Sequence, residues 1–213
     1  MCIFENKKKL KRLFFLLALI PIFCFSQNID TVIVTPVYTS YFSYQTQSPL
    51  FVAYKLYRGG GDCSRSGISF TKDGLKQSDS PKDYAKSGYD IGHMANAEDF
   101  AYDCDKERIT FRFYNALPQL PKLNRGIWKE VETKVRKQSQ MDSLLIVCGG
   151  YSFRKIGRLN VPEYCFKIVK SLRTGVVKAY LFKNDRSDAC EEVKVNVLLK
   201  NIPFKENIER ALN

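Results

Sequence analysis

The chain has 213 residues and a basic composition, with 34 Lys and Arg against 22 Asp and Glu and a formal net charge of +12. A hydrophobic content of 45%, with 13% aromatic residues, excludes an intrinsically disordered chain. The chain holds a single histidine, which excludes chemistries that need two imidazoles, such as paired-imidazole ribonucleases.

Residues 1–26 have the pattern of a secretory signal peptide. Five basic residues between positions 7 and 12 precede an almost wholly apolar run over 13–23, which is too short for a stable membrane span. Cys24 and Ser26 supply small residues at the −3 and −1 positions and predict cleavage before Gln27. A lipoprotein role for Cys24 is the weaker interpretation, because bulky Phe23 stands where a small residue is wanted. We therefore expect an exported protein, periplasmic or extracellular, without stable membrane insertion.

Residues 27–213 are expected to form a single domain, because no repeat or low-complexity linker divides them. The leader holds five basic residues and Glu5, so 29 basic and 21 acidic residues remain without it, a net charge of +8. Such an excess favours polyanions such as nucleic acid or anionic envelope polymers. Five cysteines also remain, which predicts one or two disulfides and at least one free thiol; their spacing leaves the pairing open and argues against a structural zinc site.

Several segments are rich in β-branched and aromatic residues or alternate in polarity, and these predict strands. The glycines at 59–61 indicate a turn, and the polar segment 73–86 a loop with a short helix. A further strand is expected to lead into His93, and the segment after Asp188 is predicted to be helical, ending over 205–212. Many strands with few helices, in irregular order, indicate an α+β domain. The other predicted strands lie at 31–35, 50–57, 108–114, 144–148, 164–169 and 176–182.

One helix is predicted over 123–136, because apolar residues recur there at every fourth position and form one buried stripe. Pro118 and Pro121 lie just upstream, where proline suits a helix start. The residues at the same spacing on the adjacent stripe are an amide, an indole, a carboxylate and a guanidinium. Taken alone, these residues also fit a helix cap and an exposed ion pair. The first stripe is Leu123, Ile127, Val131 and Val135; the second is Asn124, Trp128, Glu132 and Arg136.

The single imidazole and the amide on the helix suit one kind of chemistry. His93 is the one side chain whose ordinary pKa, about 6.5, suits proton transfer at neutral pH. A neutral imidazole can accept the proton of a water that attacks phosphorus, while a divalent metal neutralises the developing charge. Magnesium prefers oxygen ligands and keeps several waters, so one protein amide such as Asn124 can suffice. These residues therefore favour metal-assisted hydrolysis of phosphodiesters.

Short motifs between Tyr41 and Val169 follow one another in a characteristic order. They are Asp83-Tyr84, 87–93, Ala97-x-Asp99-Phe100, Thr110-Phe111, Asn115-x-x-Pro118-Gln119, Leu123-Asn124-x-x-x-Trp128, Glu132, 147–150, Val161-Pro162 and Phe166-Lys167. In this order the chain strongly resembles the DNA/RNA non-specific endonuclease family, the ββα-metal or His-Me finger nucleases. The resemblance implies an α+β fold with a ββα-metal nuclease core inside a mixed, mainly antiparallel sheet domain.

The resemblance also implies a role for each matching residue. His93 is expected to be the general base and Asn124 the direct ligand of Mg²⁺, with Mn²⁺ or another divalent cation as alternatives. Glu132 is expected to hold metal-bound water, and Arg136 to contact phosphate as a third catalytic residue.

Three further residues are expected around the substrate. Asn115 and Gln119 would lie in the cleft as supporting or substrate-contacting groups. Asp90 would shape the turn that presents His93 and is grouped with them.

Two positions depart from the family pattern, and they leave the function open between two alternatives. Ile91 stands where the family commonly has arginine, and Asn96 where it usually has proline. Arg112, Arg125 and Arg136 are candidates to replace the missing cation. The first alternative is a secreted, Mg²⁺-dependent endonuclease that cleaves DNA and RNA with little sequence preference. The second is a catalytically impaired protein of the same fold that binds nucleic acid or other polyanions.

Overall fold

The computed structural model describes residues 27–187 and 189–213, so the predicted signal peptide lies outside the described residues. In these ranges no helix combines the length and the apolar character that crossing a bilayer requires. Nine strands are found in them. In chain order they are β1 (Thr31–Val34), β2 (Thr39–Ser43), β3 (Ser48–Leu56), β4 (Asp90–His93), β5 (Ala116–Gln119), β6 (Leu144–Ile156), β7 (Leu159–Ser171), β8 (Val177–Lys183) and β9 (Cys190–Val193).

Six α-helices connect or cover these strands. Two short 3₁₀ turns, at Ala97–Phe100 and Phe113–Asn115, lie between β4 and β5. The helices are α1 (Pro81–Tyr84), α2 (Cys104–Ile109), α3 (Pro121–Arg125), α4 (Ile127–Ser139), α5 (Val195–Leu199) and α6 (Lys205–Leu212).

The main sheet has seven antiparallel strands in the order β1-β2-β3-β6-β7-β8-β9. Its centre is the long β6–β7 pair, in which Leu144 lies opposite Ser171 and Ile156 opposite Leu159. Because side chains alternate along a strand, β7 sends Phe166 to one face and Lys167 to the other. One face packs against α5 and α6 in an apolar cluster, and the opposite face packs against α4.

The second sheet is a ribbon of two strands, β4 and β5, followed directly by α3 and α4. Asp90 pairs with Gln119 and His93 with Ala116, both antiparallel. This strand–strand–helix unit confirms the expected ββα core and its mainly antiparallel surroundings. The predicted helix over 123–136 is present but interrupted, because Gly126 leaves helical geometry at φ −99° and ψ −118°. The buried stripe is preserved across the break, since Leu123, Val131 and Val135 are all buried.

Two of the predicted elements are wrong. The segment 108–114 is not a strand, because α2 runs to Ile109 and a 3₁₀ turn begins at Phe113. The capping side chain of Asp103, which accepts hydrogen bonds from the amides of Asp105 and Lys106, starts the helix that the alternation concealed. The segment after Asp188 begins with the edge strand β9 and only then turns helical. The short strands β2 and β5 were missed.

A disulfide joins Cys63, in the loop after β3, to Cys104 at the start of α2. Of the other cysteines in the described residues, Cys148 and Cys165 are buried thiols and Cys190 is half-buried. The single bridge and the free thiols agree with the cysteine count. The bridge also fixes the long loop 59–80 close to the segment between β4 and β5.

Candidate active site

A cavity of about 460 Å³ opens where α3 and α4 meet the ribbon and the loop after β3. It combines four cationic side chains with two carboxylates and two carboxamides, so it is strongly polar. The lining residues are Arg65, Asn96, Glu98, Asn124, Arg125, Lys129, Glu132, Thr133 and Arg136.

The orientation of Asn124 is fixed from the ribbon. Asn124 Nδ2 donates to Asp90 Oδ2 at 3.0 Å, and Arg125 donates to both oxygens of the same carboxylate at 2.6 and 2.8 Å. These hydrogen bonds outweigh partial burial and hold the pKa of Asp90 below its usual value. Because its nitrogen is bound to Asp90, the Asn124 carboxamide points its oxygen away from that carboxylate. Asp90 therefore positions Asn124, whereas it was expected to shape the turn that presents His93 and was grouped with the residues around the substrate.

Glu132, which lines the cavity, forms an ion pair with the buried Lys167. Lys167 Nζ lies 3.5 Å from Glu132 Oε1 and 4.4 Å from the centre of the Trp128 ring. The lysine is fully buried and the glutamate nearly so. Burial raises the pKa of Glu132, while the charge of Lys167 and a hydrogen bond from Asn96 oppose that rise. Glu132 is thus part of a buried ion pair, not of an exposed helix pair, and Trp128 is a core residue.

Arg136 is bound to protein groups at the edge of the cavity. Its Nε donates to Asp99 Oδ1 at 2.9 Å and its Nη2 to Asn96 Oδ1 at 3.3 Å. The buried Asp99 also accepts from the Tyr54 hydroxyl at 2.9 Å. The expected phosphate contact of Arg136 therefore has to compete with a carboxylate already in place.

His93 is not among the residues that line the cavity, and its Nε2 atom is buried. Its ring is half-buried, 4.7 Å from the ring centres of both Phe70 and Phe111. Burial among these rings lowers its pKa to about 3, and the charge of Arg65 adds to the shift. Among the described residues, no group forms a hydrogen bond with His93 Nε2. The imidazole is therefore neutral at physiological pH and has a nitrogen without a protein partner.

Arg65 links His93 to the cavity, and sequence reasoning missed it. Its Nε donates to the fully buried Glu107 at 2.8 Å, and its Nη2 forms an ion pair with Glu98. Cys63, two residues earlier, holds this part of the loop against α2 through the disulfide. The one sequence feature that pointed to Arg65 was its position two residues after Cys63, because pairing of Cys63 with Cys104 brings the loop to the region around His93.

Asn115 and Gln119 do not line the cavity. The Asn115 carboxamide is fully buried, where it accepts from Ala95 N at 2.8 Å and donates to the carbonyls of Ala95 and Thr110. Of the two expected roles, this position fits the supporting one and not the substrate contact: the residue ties down the segment between β4 and β5. Gln119 is also fully buried and packs against Gly92, where an added Cβ would lie 2.0 Å from its Oε1. Both residues support the ribbon from inside.

The side chain at position 91 gives the cavity no charge. Ile91 packs against an apolar cluster that includes Tyr84 and Phe113, on the far side of the ribbon from Asp90. Arg112, one of the candidates to replace the missing family arginine, forms an ion pair with Asp73 at 3.1 Å and does not line the cavity. Arg125 and Arg136 do line it.

The donor atoms of the cavity suit a hard divalent cation. Its potential ligands are carboxamide and carboxylate oxygens, the type that Mg²⁺ prefers. Across the described residues, no group of three or more His, Cys, Asp or Glu side chains is placed to hold a metal ion. A cation here would therefore rely on Asn124, with Glu132 nearby and water for its other ligands, as is usual for Mg²⁺.

Comparison with known proteins gives a consistent result. The model of the DNA/RNA non-specific endonuclease family matches residues 20–210. A nuclease of Nostoc sp. is 37% identical over 93 residues, which is 42% of this chain and 34% of that protein. Mitochondrial endonuclease G of Bos taurus is 27% identical over 191 residues, covering 78% of this chain and 62% of the relative. The human protein is 29% identical over 148 residues, covering 61% and 48%.

Among solved structures, a chain from the crystal structure of the EndoG/EndoGI complex has a similar fold. The TM-score is 0.71 at 22% identity, and the match covers 82% of this chain and 84% of that one. The chain spans less than two thirds of the length of these three curated relatives.

Proposed function

The chain belongs to the DNA/RNA non-specific endonuclease family, and from that membership we propose that it is a Mg²⁺-dependent endonuclease that hydrolyses the phosphodiester bonds of DNA and RNA. One observation supports this most directly. A neutral imidazole with a buried, unpartnered Nε2 is close enough to Arg65, which lines the cavity, for that charge to lower its pKa, and in the same cavity Asp90 orients the Asn124 amide and Glu132 supplies a carboxylate.

In the proposed reaction, His93 Nε2 accepts a proton from a water molecule as its oxygen attacks the scissile phosphorus. The bond from phosphorus to the 3′ oxygen breaks, and that oxygen takes a proton from solvent. Asn124 would hold the cation, and Glu132 would orient its water. When bound, a divalent cation neutralises charge on the phosphate oxygens in the transition state. Burial among the Phe70 and Phe111 rings keeps the imidazole neutral but also lowers its basicity. The negative charge of a bound phosphate is therefore needed to raise the pKa of His93 during the step.

The alternative is a protein of this fold that binds polyanions without cleaving them. Ile91, which brings no cation to the cavity, is the observation that favours it. The net basic charge fits both alternatives, because attraction to phosphates does not depend on catalysis.

The test compares the wild type with His93→Ala and Asn124→Ala on plasmid DNA and on RNA, with Mg²⁺ or with EDTA. We expect cleavage of both substrates by the wild type in Mg²⁺ only. His93→Ala should abolish turnover while thermal unfolding and DNA binding in EDTA stay close to wild type. Asn124→Ala should raise the Mg²⁺ concentration needed for half-maximal rate. Intact plasmid and RNA with the wild type in Mg²⁺ or Mn²⁺ would favour the binding-only alternative.

We also propose that the protein acts outside the cytoplasm, in a periplasm or as a released protein. The leader pattern of residues 1–26 supports this, as does the Cys63–Cys104 disulfide, since such bonds persist in oxidising compartments. Fractionation of cells that express the full chain, with N-terminal sequencing of the product, tests it. Cleavage before Gln27 is expected, and an uncleaved cytoplasmic product contradicts the proposal.

A further inference from the structure

The four cations of the cavity are not equivalent. Arg125 is bound to both oxygens of Asp90, and Arg136 donates to Asp99 at 2.9 Å. Arg65 is paired with Glu98 and Glu107. Each arginine thus has a carboxylate that a substrate phosphate would have to displace or share, which weakens the attraction it offers.

Lys129 is the exception. Its side chain is exposed, and no carboxylate in residues 27–187 or 189–213 lies within ion-pair distance of its ammonium group. It lies three residues before Glu132 on α4, a spacing that puts both side chains on neighbouring parts of one helix surface. The unpaired positive charge of the cavity is therefore carried on the helix, at its solvent-facing side.

We propose that Lys129 binds a backbone phosphate of the nucleic-acid substrate, next to the phosphate that is cleaved. This inference rests on the proposed function. An ammonium group without a carboxylate partner gives up only water and counterions when it meets a phosphate, and their release favours binding. As a flexible point charge, lysine suits a contact that does not depend on sequence. Because the side chain is exposed, the contact forms in the ground state and lowers KM rather than raising kcat.

Lys134 provides a matched control. It lies on the same helix, is exposed, forms no ion pair in the described part of the chain and does not line the cavity. Lys129→Met and Lys134→Met each remove one charge while keeping an unbranched apolar side chain of similar length. Any difference between them therefore reports position, not net charge.

The experiment measures binding of a single-stranded DNA oligonucleotide in EDTA over a series of salt concentrations, and steady-state cleavage in Mg²⁺. For Lys129→Met we expect Kd and KM to rise about 3- to 10-fold, with kcat within about twofold of wild type. The slope of log Kd against log salt should become smaller by about 0.7, the value for one phosphate contact on a single strand. Lys129→Arg should retain binding, and Lys134→Met should change both constants by less than about twofold.

Wild-type cleavage with equal effects of Lys129→Met and Lys134→Met overturns the inference and leaves the proposed function standing. A fall in kcat at unchanged Kd also overturns it, because Lys129 would then act on the transition state. A wild type that neither binds nor cleaves the oligonucleotide overturns both the inference and the proposed function. Thermal unfolding of each variant checks that the exposed substitutions leave the fold intact.

Discussion

The two faces of the seven-stranded sheet are built from the same strands but differ in chemistry. Beneath α5 and α6 the face is apolar, with Phe166 and Ile168 of β7 packed against residues such as Ile208. Beneath α4 the same strand places Lys167 in a buried network with Glu132. Burial of apolar surface stabilises both faces, but only the second also keeps ionised groups, at a cost in desolvation. The difference teaches that the buried charges are confined to one face, whereas both faces contribute to stability.

The largest effect is expected from breaking the buried pair beneath α4. Lys167→Met leaves the Glu132 carboxylate buried without its cation, which should cost about 3–5 kcal/mol of unfolding free energy. The double variant Glu132→Gln with Lys167→Met removes both charges and should recover much of that loss in urea unfolding. Cleavage activity should not recover, because Glu132 is then absent. Additive losses in the double variant would show that the two groups are not coupled.

A substitution on the face beneath α5 and α6 should lower the free energy of unfolding but leave the cleavage activity unchanged. Ile208→Ala removes fully buried methyl groups and should cost about 3 kcal/mol of unfolding free energy. The kcat of the folded fraction should stay within about twofold of wild type, since α6 lies across the sheet from the cavity. Val197→Ala, at an exposed position of α5, is the control and should change stability by less than about 0.5 kcal/mol. A large fall in kcat for Ile208→Ala would contradict the division between the faces.

A smaller effect concerns pH, and it comes from the imidazole on the β4–β5 ribbon, outside both faces of the seven-stranded sheet. The folded pKa of His93, about 3, lies below its unfolded value of about 6.5, so the unfolded chain binds the proton first as the pH falls. Stability is therefore unaffected by His93 above pH 6.5 and is lost progressively between 6.5 and 3. On the order of 2 kcal/mol should be lost by pH 5.

His93→Phe, which cannot be protonated, tests this in urea unfolding at pH 7 and pH 5. The variant should lose less stability between these values than the wild type does. Equal losses in the two proteins would mean that the imidazole is not shielded as its aromatic surroundings indicate.

The sequence predicted the first strand of the ribbon and the helix because local patterns encode them. A four-residue apolar period fixes which side of α4 is buried, and the motif around His93 marks a strand end. Lys167 lay in a matching motif, but no pattern along the chain says that its ammonium lies under Glu132. That contact requires β7 and α4 to pack together, and they are separated by β6 in the chain.

The roles of Asn115 and Arg65 depend on contacts that only the folded chain makes. The Asn115 carboxamide could contact a substrate, but in the fold it is buried and binds three backbone groups. Arg65 has no local signal, because its role depends on a loop held by a disulfide whose pairing the spacing did not reveal. The end of α2 was hidden because polarity alternates over 108–114, a pattern that a short segment can show without forming a strand. The strand β9 was hidden because the segment after Asp188 was predicted to be helical.

By itself, the sequence determined the family, the ββα order and the imidazole and amide that are candidates for the chemistry. Only the tertiary structure decided which charges are free. A guanidinium and an ammonium look alike in a sequence, and their capacity to bind a phosphate depends on whether a carboxylate already lies beside them. Folding brought Asp90, Asp99, Glu98 and Glu107 to the three arginines and left Lys129 without such a partner among the described residues.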